Sequence, residues 1–196
     1  MFKNIEKCKK CDLCKNQIPL LDKAKNCDVM WVGLSAKKVD DVKKDTPLSE
    51  NTNSGAVIAE IESRCEGILT YKTNLVKCLP LDEANKLRYP KKDEIDICFE
   101  NLIKEITTLK PKIVFLLGTE VTKSVKREFK LKFIDCENDS LKLAEYKGID
   151  FVSVYHPSYV SSYRKKYKDK YIEQISEYIN NKFQSLEKNC YEAIPV

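Results

Sequence analysis

Four short apolar runs, separated by stretches with helical periodicity, constrain the fold of this chain more than any other feature. The runs are rich in β-forming residues and cover positions 28–34, 71–76, 112–117 and 149–154. Alternation of such runs with helices is typical of a parallel sheet covered by helices. The sequence therefore predicts an α/β fold, a three-layer α/β/α sandwich with a central, mainly parallel four-stranded sheet.

The helical period is clearest between the second and third runs. Apolar residues recur at steps of three and four from Ile95 to Leu109, and Pro111 then ends the pattern. Further helices are predicted after Gly55, from a capping Thr119 toward Phe129, and around residues 171–179. Ligands of such sheets bind at the carboxyl ends of the strands, which here are followed by segments 33–50, 74–80, 118–121 and 155–164.

Size and composition indicate a soluble globular protein. The chain has 196 residues, of which 42% are hydrophobic and 33% charged, so we expect one domain over residues 1–196. No apolar run is long enough to span a membrane and the N-terminus lacks a secretory signal, so we expect a cytoplasmic location. The formal net charge of +5 fits a nucleic-acid partner, and equally a solvated cationic surface.

Nine cysteines are many for a cytosolic chain of this size. Reducing conditions disfavour disulfides, so clustered cysteines there indicate metal ligands or redox groups. Cys8 and Cys11 form a C-x-x-C pair, Cys78 follows the second strand, and Cys98 lies on the inward stripe of the next helix. Together they supply four thiolates, which suits a [4Fe–4S] cluster or a structural zinc ion. From the residues alone, a cluster, zinc and no metal all remain open.

Several motifs follow one another in the order of a known family. They are CKKCDL from Cys8, VMWVGL from Val29, TNLVKCLP from Thr73, IVFLLG from Ile113 and YHPSY from Tyr155. Over residues 5–180 the chain resembles the iron–sulfur, family-4 type of uracil-DNA glycosylase. The resemblance implies a [4Fe–4S] cluster on Cys8, Cys11, Cys78 and Cys98, in preference to zinc, which stays the alternative from ligand chemistry. It also implies a cluster-binding segment at about residues 1–27. The other cysteines match no ligand and are predicted to be buried hydrophobes or free thiols: Cys14, Cys27, Cys65, Cys136 and Cys190.

The resemblance also implies catalytic roles. Asn74 matches the asparagine that recognises the pyrimidine, and a carboxamide offers the donor and acceptor that uracil requires. His156, the only histidine, matches the residue that donates to the leaving base and stabilises its anion. Asp40, with Asp41 as the neighbouring candidate, matches a downstream acid that assists water. The structural alternatives are a strand-end asparagine bonded to loop backbone, a structural histidine and a solvated pair of aspartates.

Two positions depart from the family pattern, and a third group would meet DNA. Gly33 keeps the first glycine of the first motif, but Leu34 stands where the family has an acidic residue. Leu48 stands where an aromatic residue would stack on uracil, so these positions and Ser158 are expected to line the substrate. The residues expected to contact DNA are Tyr159, Arg164, Lys165 and Lys166, since aromatic and basic side chains after the fourth strand suit base and phosphate contacts.

The sequence therefore predicts a monomeric DNA glycosylase. It would hydrolyse the N-glycosidic bond of uracil or another deaminated base in single- or double-stranded DNA, with the nucleotide flipped into the site. Because Leu34 cannot supply a charge, the alternative is a catalytically weakened or inactive iron–sulfur nucleic-acid-binding protein of the same fold. A third hypothesis is an iron–sulfur redox protein or zinc protein without base chemistry.

Overall fold

The structure, a computed structural model, describes residues 2–136 and 141–192 and contains one mixed six-stranded sheet. Its strand order is β2-β1-β3-β6-β5-β4. The strands are β1 (Val29–Ser35), β2 (Thr70–Val76), β3 (Ile113–Leu117), β4 (Ile134–Asp135), β5 (Lys142–Tyr146) and β6 (Ile149–Val154). The four predicted strands correspond to β1, β2, β3 and β6, which pair in parallel. The α/β class and the parallel part of the sheet are thereby confirmed.

Strands β4 and β5 were not predicted, and they extend the sheet with antiparallel pairing. In β5 only Ala144 is buried, so this strand lacks the continuous apolar run that marks the buried strands. A two-residue turn joins β5 to β6, and both of its residues, Lys147 and Gly148, have positive φ angles of 53° and 76°. Such a turn suits the right-handed twist of a hairpin.

Six α-helices accompany the sheet in the described part of the chain. They are α1 (Lys3–Glu6), α2 (Asn53–Glu62), α3 (Lys92–Leu109), α4 (Thr119–Phe129), α5 (Pro157–Tyr163) and α6 (Lys168–Glu192). The predicted helices α2, α3, α4 and α6 are confirmed, although Gly118, not Thr119, is the N-cap of α4. Apolar side chains of α3 and α4 pack with β1, β3 and β6 in one core that includes Val32, Leu102 and Phe151.

The chain divides into two compact units. The first comprises Met1–Ser49 and Leu69–His156 and contains the whole sheet with α1, α3 and α4. The second comprises Glu50–Ile68 and Pro157–Val196, where the Lys168 ammonium donates to the Glu60 carboxylate at 2.8 Å between α6 and α2. The single domain and the three-layer arrangement stay predictions. No helix in the described residues is long and apolar enough to cross a membrane.

Candidate active site and cysteine site

The candidate active site lies at the carboxyl ends of four neighbouring parallel strands in the first unit. Gly33 near the end of β1 is paired in register with Asn74 of β2. Gly118 directly follows β3, and His156 comes two residues after β6. Because β2, β1, β3 and β6 are adjacent and parallel, these residues share one edge of the sheet.

Asn74 is held in a tight environment against β1. Its side chain is 4% exposed, and a Cβ atom placed on Gly33 would lie only 2.4 Å from the Asn74 Oδ1 atom. Gly33 has no positive φ angle, so glycine is required there because the carboxamide occupies the space that a side chain would fill. The structure thus brings Gly33 and Asn74 together, and their roles toward a substrate stay predictions.

Leu48 lies beside Gly33, next to the same space that Asn74 occupies. A Cβ atom on Gly33 would lie 3.4 Å from the Leu48 Cδ2 atom. Leu48 follows the buried Pro47 and has a φ angle of 52°, a left-handed conformation that disfavours a residue with a branched side chain. Strained backbone of this kind concentrates at functional sites, where the surrounding structure enforces it. Leu48 and Asn74 thus both lie against Gly33, and the predicted contact of Leu48 with a substrate stays a prediction.

His156 is half-buried and packs against Gly118. A Cβ atom on Gly118 would lie 3.3 Å from the His156 Cβ atom, and Gly118 has a φ angle of 92° that glycine tolerates. Burial of the imidazole lowers the pKa of His156, and the positive charge of Lys37 lowers it further. At neutral pH the ring is uncharged and can donate one N–H.

The loop after β1 is held in place by Gln17. The Gln17 Nε2 group donates to the Lys37 carbonyl oxygen at 3.1 Å, and the Val39 N–H donates to Gln17 Oε1 at 3.1 Å. Of the two candidate acids that follow, Asp41 accepts from the Lys43 N–H at 2.8 Å and so stabilises a turn, whereas Asp40 is exposed.

Leu34 is half-buried and packs against the main hydrophobic core. An ionised carboxylate in this apolar contact would be costly unless it were paired. The predicted contact between Leu34 and a substrate stays a prediction.

The four predicted metal ligands lie around one small cavity in the first unit. Cys8, Cys11, Cys78 and Cys98 all line this cavity, together with Cys14. The Asn101 Nδ2 group donates to Cys8 Sγ at 3.8 Å and to Cys98 Sγ at 3.7 Å, and the Lys77 backbone N–H donates to Cys98 Sγ at 3.4 Å. Donors of this kind fix and polarise thiolate ligands in metal centres.

The donor set fits a cluster in its chemistry. Within the described part of the chain, no three Cys, His, Asp or Glu side chains are placed to hold one metal ion. A [4Fe–4S] cluster has a different requirement, because each of its irons takes one thiolate and the ligands surround a body of several atoms. The five cysteines around this cavity include the four predicted ligands, and two of those, Cys8 and Cys98, accept from N–H donors, so the donor set is compatible with that requirement.

The remaining cysteines are placed as small apolar residues or as half-buried thiols. Cys27 lies in the main core and Cys65 is buried in the second unit. Burial raises the pKa of Cys27 to about 12 and that of Cys65 to about 11, so both stay protonated and unreactive at neutral pH. Cys14 donates to the Cys11 carbonyl oxygen at 3.2 Å, and Cys136 is half-buried. The Cys190 side chain lies outside the described residues.

The predicted DNA-contacting residues belong to the second unit. Ser158 is half-buried and Tyr159 is 43% exposed at the start of α5. The Tyr159 ring packs against Tyr163 with 5.6 Å between centroids, and the exposed Arg164 guanidinium lies 5.9 Å from the centre of the Tyr167 ring. Lys165 and Lys166 follow as exposed residues of a short 3₁₀-helix. This segment thus presents aromatic and cationic groups together.

Comparison with known proteins identifies the family. The model of the uracil DNA glycosylase superfamily matches residues 22–180. This chain belongs to that superfamily. The matched range contains Asn74, His156, Cys78 and Cys98 but begins after the C-x-x-C pair.

Two curated relatives carry the name type-4 uracil-DNA glycosylase. One, from Archaeoglobus fulgidus, is 25% identical over 168 residues, which cover 82% of this chain and 81% of the relative. The other, from Saccharolobus solfataricus, is 26% identical over 134 residues, which cover 65% of this chain and 58% of the relative.

The fold is also similar to a solved structure, the crystal structure of WT Pedobacter heparinus SMUG2. The TM-score is 0.54 at 15% identity, and the match covers 83% of this chain and 77% of that one. At this identity the likeness concerns the fold alone. The predicted uracil-DNA glycosylase-like fold is confirmed.

Three residues of these sites were missed by sequence reasoning. Gln17 fixes the loop after β1, Asn101 contacts two of the cysteines, and Lys77 bonds to Cys98. Lys77 could have been found, because it stands inside the motif TNLVKC between Asn74 and Cys78. Gln17 and Asn101 carry no local signal, since their roles depend on contacts between distant segments.

Proposed function

We propose that this protein is a DNA glycosylase that hydrolyses the N-glycosidic bond of uracil or another deaminated base in DNA. The observation that carries the proposal is the placement of Asn74. Its carboxamide is buried at the end of β2 and fills the space left by Gly33, at the sheet edge where His156 also stands. Membership of the uracil DNA glycosylase superfamily supports the same reaction class.

The reaction requires cleavage of a C–N bond, with positive charge developing on the sugar and negative charge on the departing base. The base would enter the site after flipping out of the DNA stack, and the Asn74 carboxamide would pair with its carbonyl and N–H groups. The neutral His156 ring would donate a hydrogen bond to a carbonyl oxygen of the leaving base, where the negative charge collects. The ring can do this at neutral pH because burial lowers its pKa.

The loop after β1 would supply the remaining charges. Asp40 is exposed and is free of the turn that engages Asp41, so it is the better candidate to orient the attacking water. The ammonium of Lys37 lies close enough to His156 to affect its pKa, and it would stabilise a base anion in the same region. Water adds to the sugar, and its proton balances the charge of the released base.

We assign a [4Fe–4S] cluster to Cys8, Cys11, Cys78 and Cys98. The common cavity and the hydrogen bonds from Asn101 and Lys77 to the sulfur atoms support a metal centre on these cysteines. The likeness to type-4 relatives, which the sequence motifs match as the iron–sulfur type, favours a cluster over zinc. When bound, the cluster would join the N-terminal segment to β2 and α3 and so stabilise the fold.

DNA binding would use the second unit. Tyr159 and Ser158 would contact the DNA strand, and Arg164, Lys165 and Lys166 would contact phosphates without regard to sequence. The aromatic and cationic character of this segment supports the assignment. Single strands suit such a surface, because exposed bases can stack on tyrosine rings.

Leu34 favours a second candidate function. Its apolar contact with the core replaces an acidic group of the first motif, so the protein could bind damaged DNA while hydrolysing it slowly or not at all. A panel of single- and double-stranded oligonucleotides containing uracil, hypoxanthine or xanthine separates the two functions. Strand cleavage at alkali-sensitive abasic sites supports the enzyme, provided that Asn74→Ala and His156→Ala abolish it. Tight binding with intact bases would instead support the binding protein.

A further inference from the structure

A buried ion pair lies directly behind the base-recognising segment. The side chains of Lys77, the residue directly after β2, and Glu105 of α3 are both 0% exposed and form a salt bridge. Burial of two charges has a large desolvation cost, which is offset only where geometry and hydrogen bonding are good. Neither side chain has a role in the chemistry proposed above.

The Lys77 ammonium makes three hydrogen bonds, one for each of its N–H groups. It donates to Thr73 Oγ1 at 2.6 Å, to the Asn74 carbonyl oxygen at 2.6 Å and to Glu105 Oε2. The second bond holds the main chain of the residue whose side chain would recognise the base. Lys77 therefore fixes the Asn74 peptide from inside the fold.

Glu105 anchors this arrangement to helix α3. Its carboxylate accepts from the Tyr71 hydroxyl at 3.0 Å and from Thr73 Oγ1 at 3.0 Å, in addition to Lys77. Four side chains thus form one closed polar network, in which every donor has an acceptor. A network of this kind fixes positions more narrowly than apolar packing does.

The same lysine also contacts the cysteine site. Its backbone N–H donates to Cys98 Sγ at 3.4 Å, while its side chain turns back to the Asn74 carbonyl. Stability alone does not require the ion pair, because well-packed apolar residues often stabilise a core as well or better. Apolar residues, however, cannot donate the hydrogen bond that the Lys77 ammonium makes to the Asn74 carbonyl oxygen.

We propose that Lys77 and Glu105 are positioning residues that hold Asn74 in the orientation needed for base recognition. The proposal rests on the function proposed above, in which Asn74 recognises the flipped base. Misplacement of a recognition group by about 1 Å can reduce the rate roughly 100-fold. Loss of the Asn74 tether should therefore reduce excision although Asn74 itself is unchanged.

The test uses the double variant Lys77→Met/Glu105→Gln in the iron-loaded, full-length protein. Methionine matches the lysine stem, and glutamine retains an acceptor for the Tyr71 and Thr73 hydroxyl groups, so the fold should survive. The matched control is Lys142→Met/Asp135→Asn, which removes an exposed ion pair between β5 and β4, outside the segments that follow the parallel strands. Single-turnover excision, thermal unfolding, iron absorbance and hydrogen exchange are measured on both.

We expect excision by the double variant to fall roughly 10- to 100-fold, with unchanged binding to undamaged DNA and unchanged iron absorbance. Amide exchange in the segment 73–77 should accelerate by about tenfold, while exchange in β3 stays at the wild-type rate. A purely structural role would lower the unfolding temperature and accelerate exchange throughout the first unit, and this would overturn the proposal. Unchanged exchange in 73–77, or unchanged excision, would overturn it as well.

Failure of the proposed function gives a different pattern. Wild-type protein would then release no base, yet the segment 73–77 would still exchange faster in the double variant. In that case the hydrogen bond from Lys77 would still hold the Asn74 main chain in place, but it would have no role in catalysis.

Discussion

The Gly33→Ala substitution tests the geometry of the site at its tightest point. The new Cβ atom would lie 2.4 Å from Asn74 Oδ1, whereas ordinary contacts begin near 3.4 Å, so the carboxamide must move by about 1 Å. The Leu48 Cδ2 atom would be in ordinary van der Waals contact at 3.4 Å, so the Asn74 carboxamide is the group that has to move. A shift of about 1 Å in a recognition group costs roughly 100-fold in rate, or about 2.7 kcal/mol of transition-state stabilisation.

The assay is single-turnover release of uracil from an oligonucleotide, with thermal unfolding measured alongside. Gly148→Ala is the control: its φ angle is 76° and nothing lies within 4 Å of the new Cβ atom, so it adds backbone strain far from the active site. We expect the control to lower stability by about 1–2 kcal/mol and to keep the wild-type rate. If Gly33→Ala retained a rate within about twofold of wild type, the contact between Gly33 and Asn74 would have no catalytic meaning.

Three further predictions concern charge and metal. Lys37→Ala removes a positive charge that lowers the pKa of His156, so the pKa of His156 should rise. The acidic limb of the pH–rate profile should then move to higher pH, toward pH ~6.5. An unmoved acidic limb would contradict the assignment of neutral His156 as the donor. Cys98→Ser should lose iron by elemental analysis while Cys136→Ser keeps it, and equal iron in both would remove Cys98 from the ligand set. In the triple variant Arg164→Ala/Lys165→Ala/Lys166→Ala, binding to double-stranded DNA should depend less on salt. The slope of log binding constant against log salt concentration, measured by fluorescence anisotropy, should decrease in magnitude by up to about 2.7. An unchanged slope would exclude these phosphate contacts.

The buried half of the fold could be predicted from the sequence because burial imposes a pattern. Strands with apolar residues on both faces, such as β3, are continuous hydrophobic runs, and the inward stripe of α3 repeats with the helical period. Strand β5 could not be found this way, because it is largely exposed and its pairing depends on the hairpin turn at Lys147 and Gly148.

The candidate site likewise contains residues that the sequence motifs indicate and contacts that only the structure gives. Asn74 and His156 could be proposed as site residues because the motifs TNLVKC and YHPSY resemble those of a known family and lie at strand ends, where ligands bind in parallel sheets. The tether from Lys77 to Asn74 was not found, because a lysine in an otherwise apolar stretch gives no sign of the glutamate on α3 that pairs with it. The space shared by Gly33 and Asn74 likewise depends on the register of β1 and β2, which only the structure gives.

Direct detection of the released base tests the central claim most sharply. Iron-loaded protein is mixed in excess with a single-stranded oligonucleotide containing one uracil, and free base is measured by mass spectrometry. We expect free uracil and an abasic strand from the wild-type protein, and neither product from Asn74→Ala. Wild-type protein that binds the strand but leaves uracil attached, or an Asn74→Ala variant that releases uracil at the wild-type rate, would contradict it.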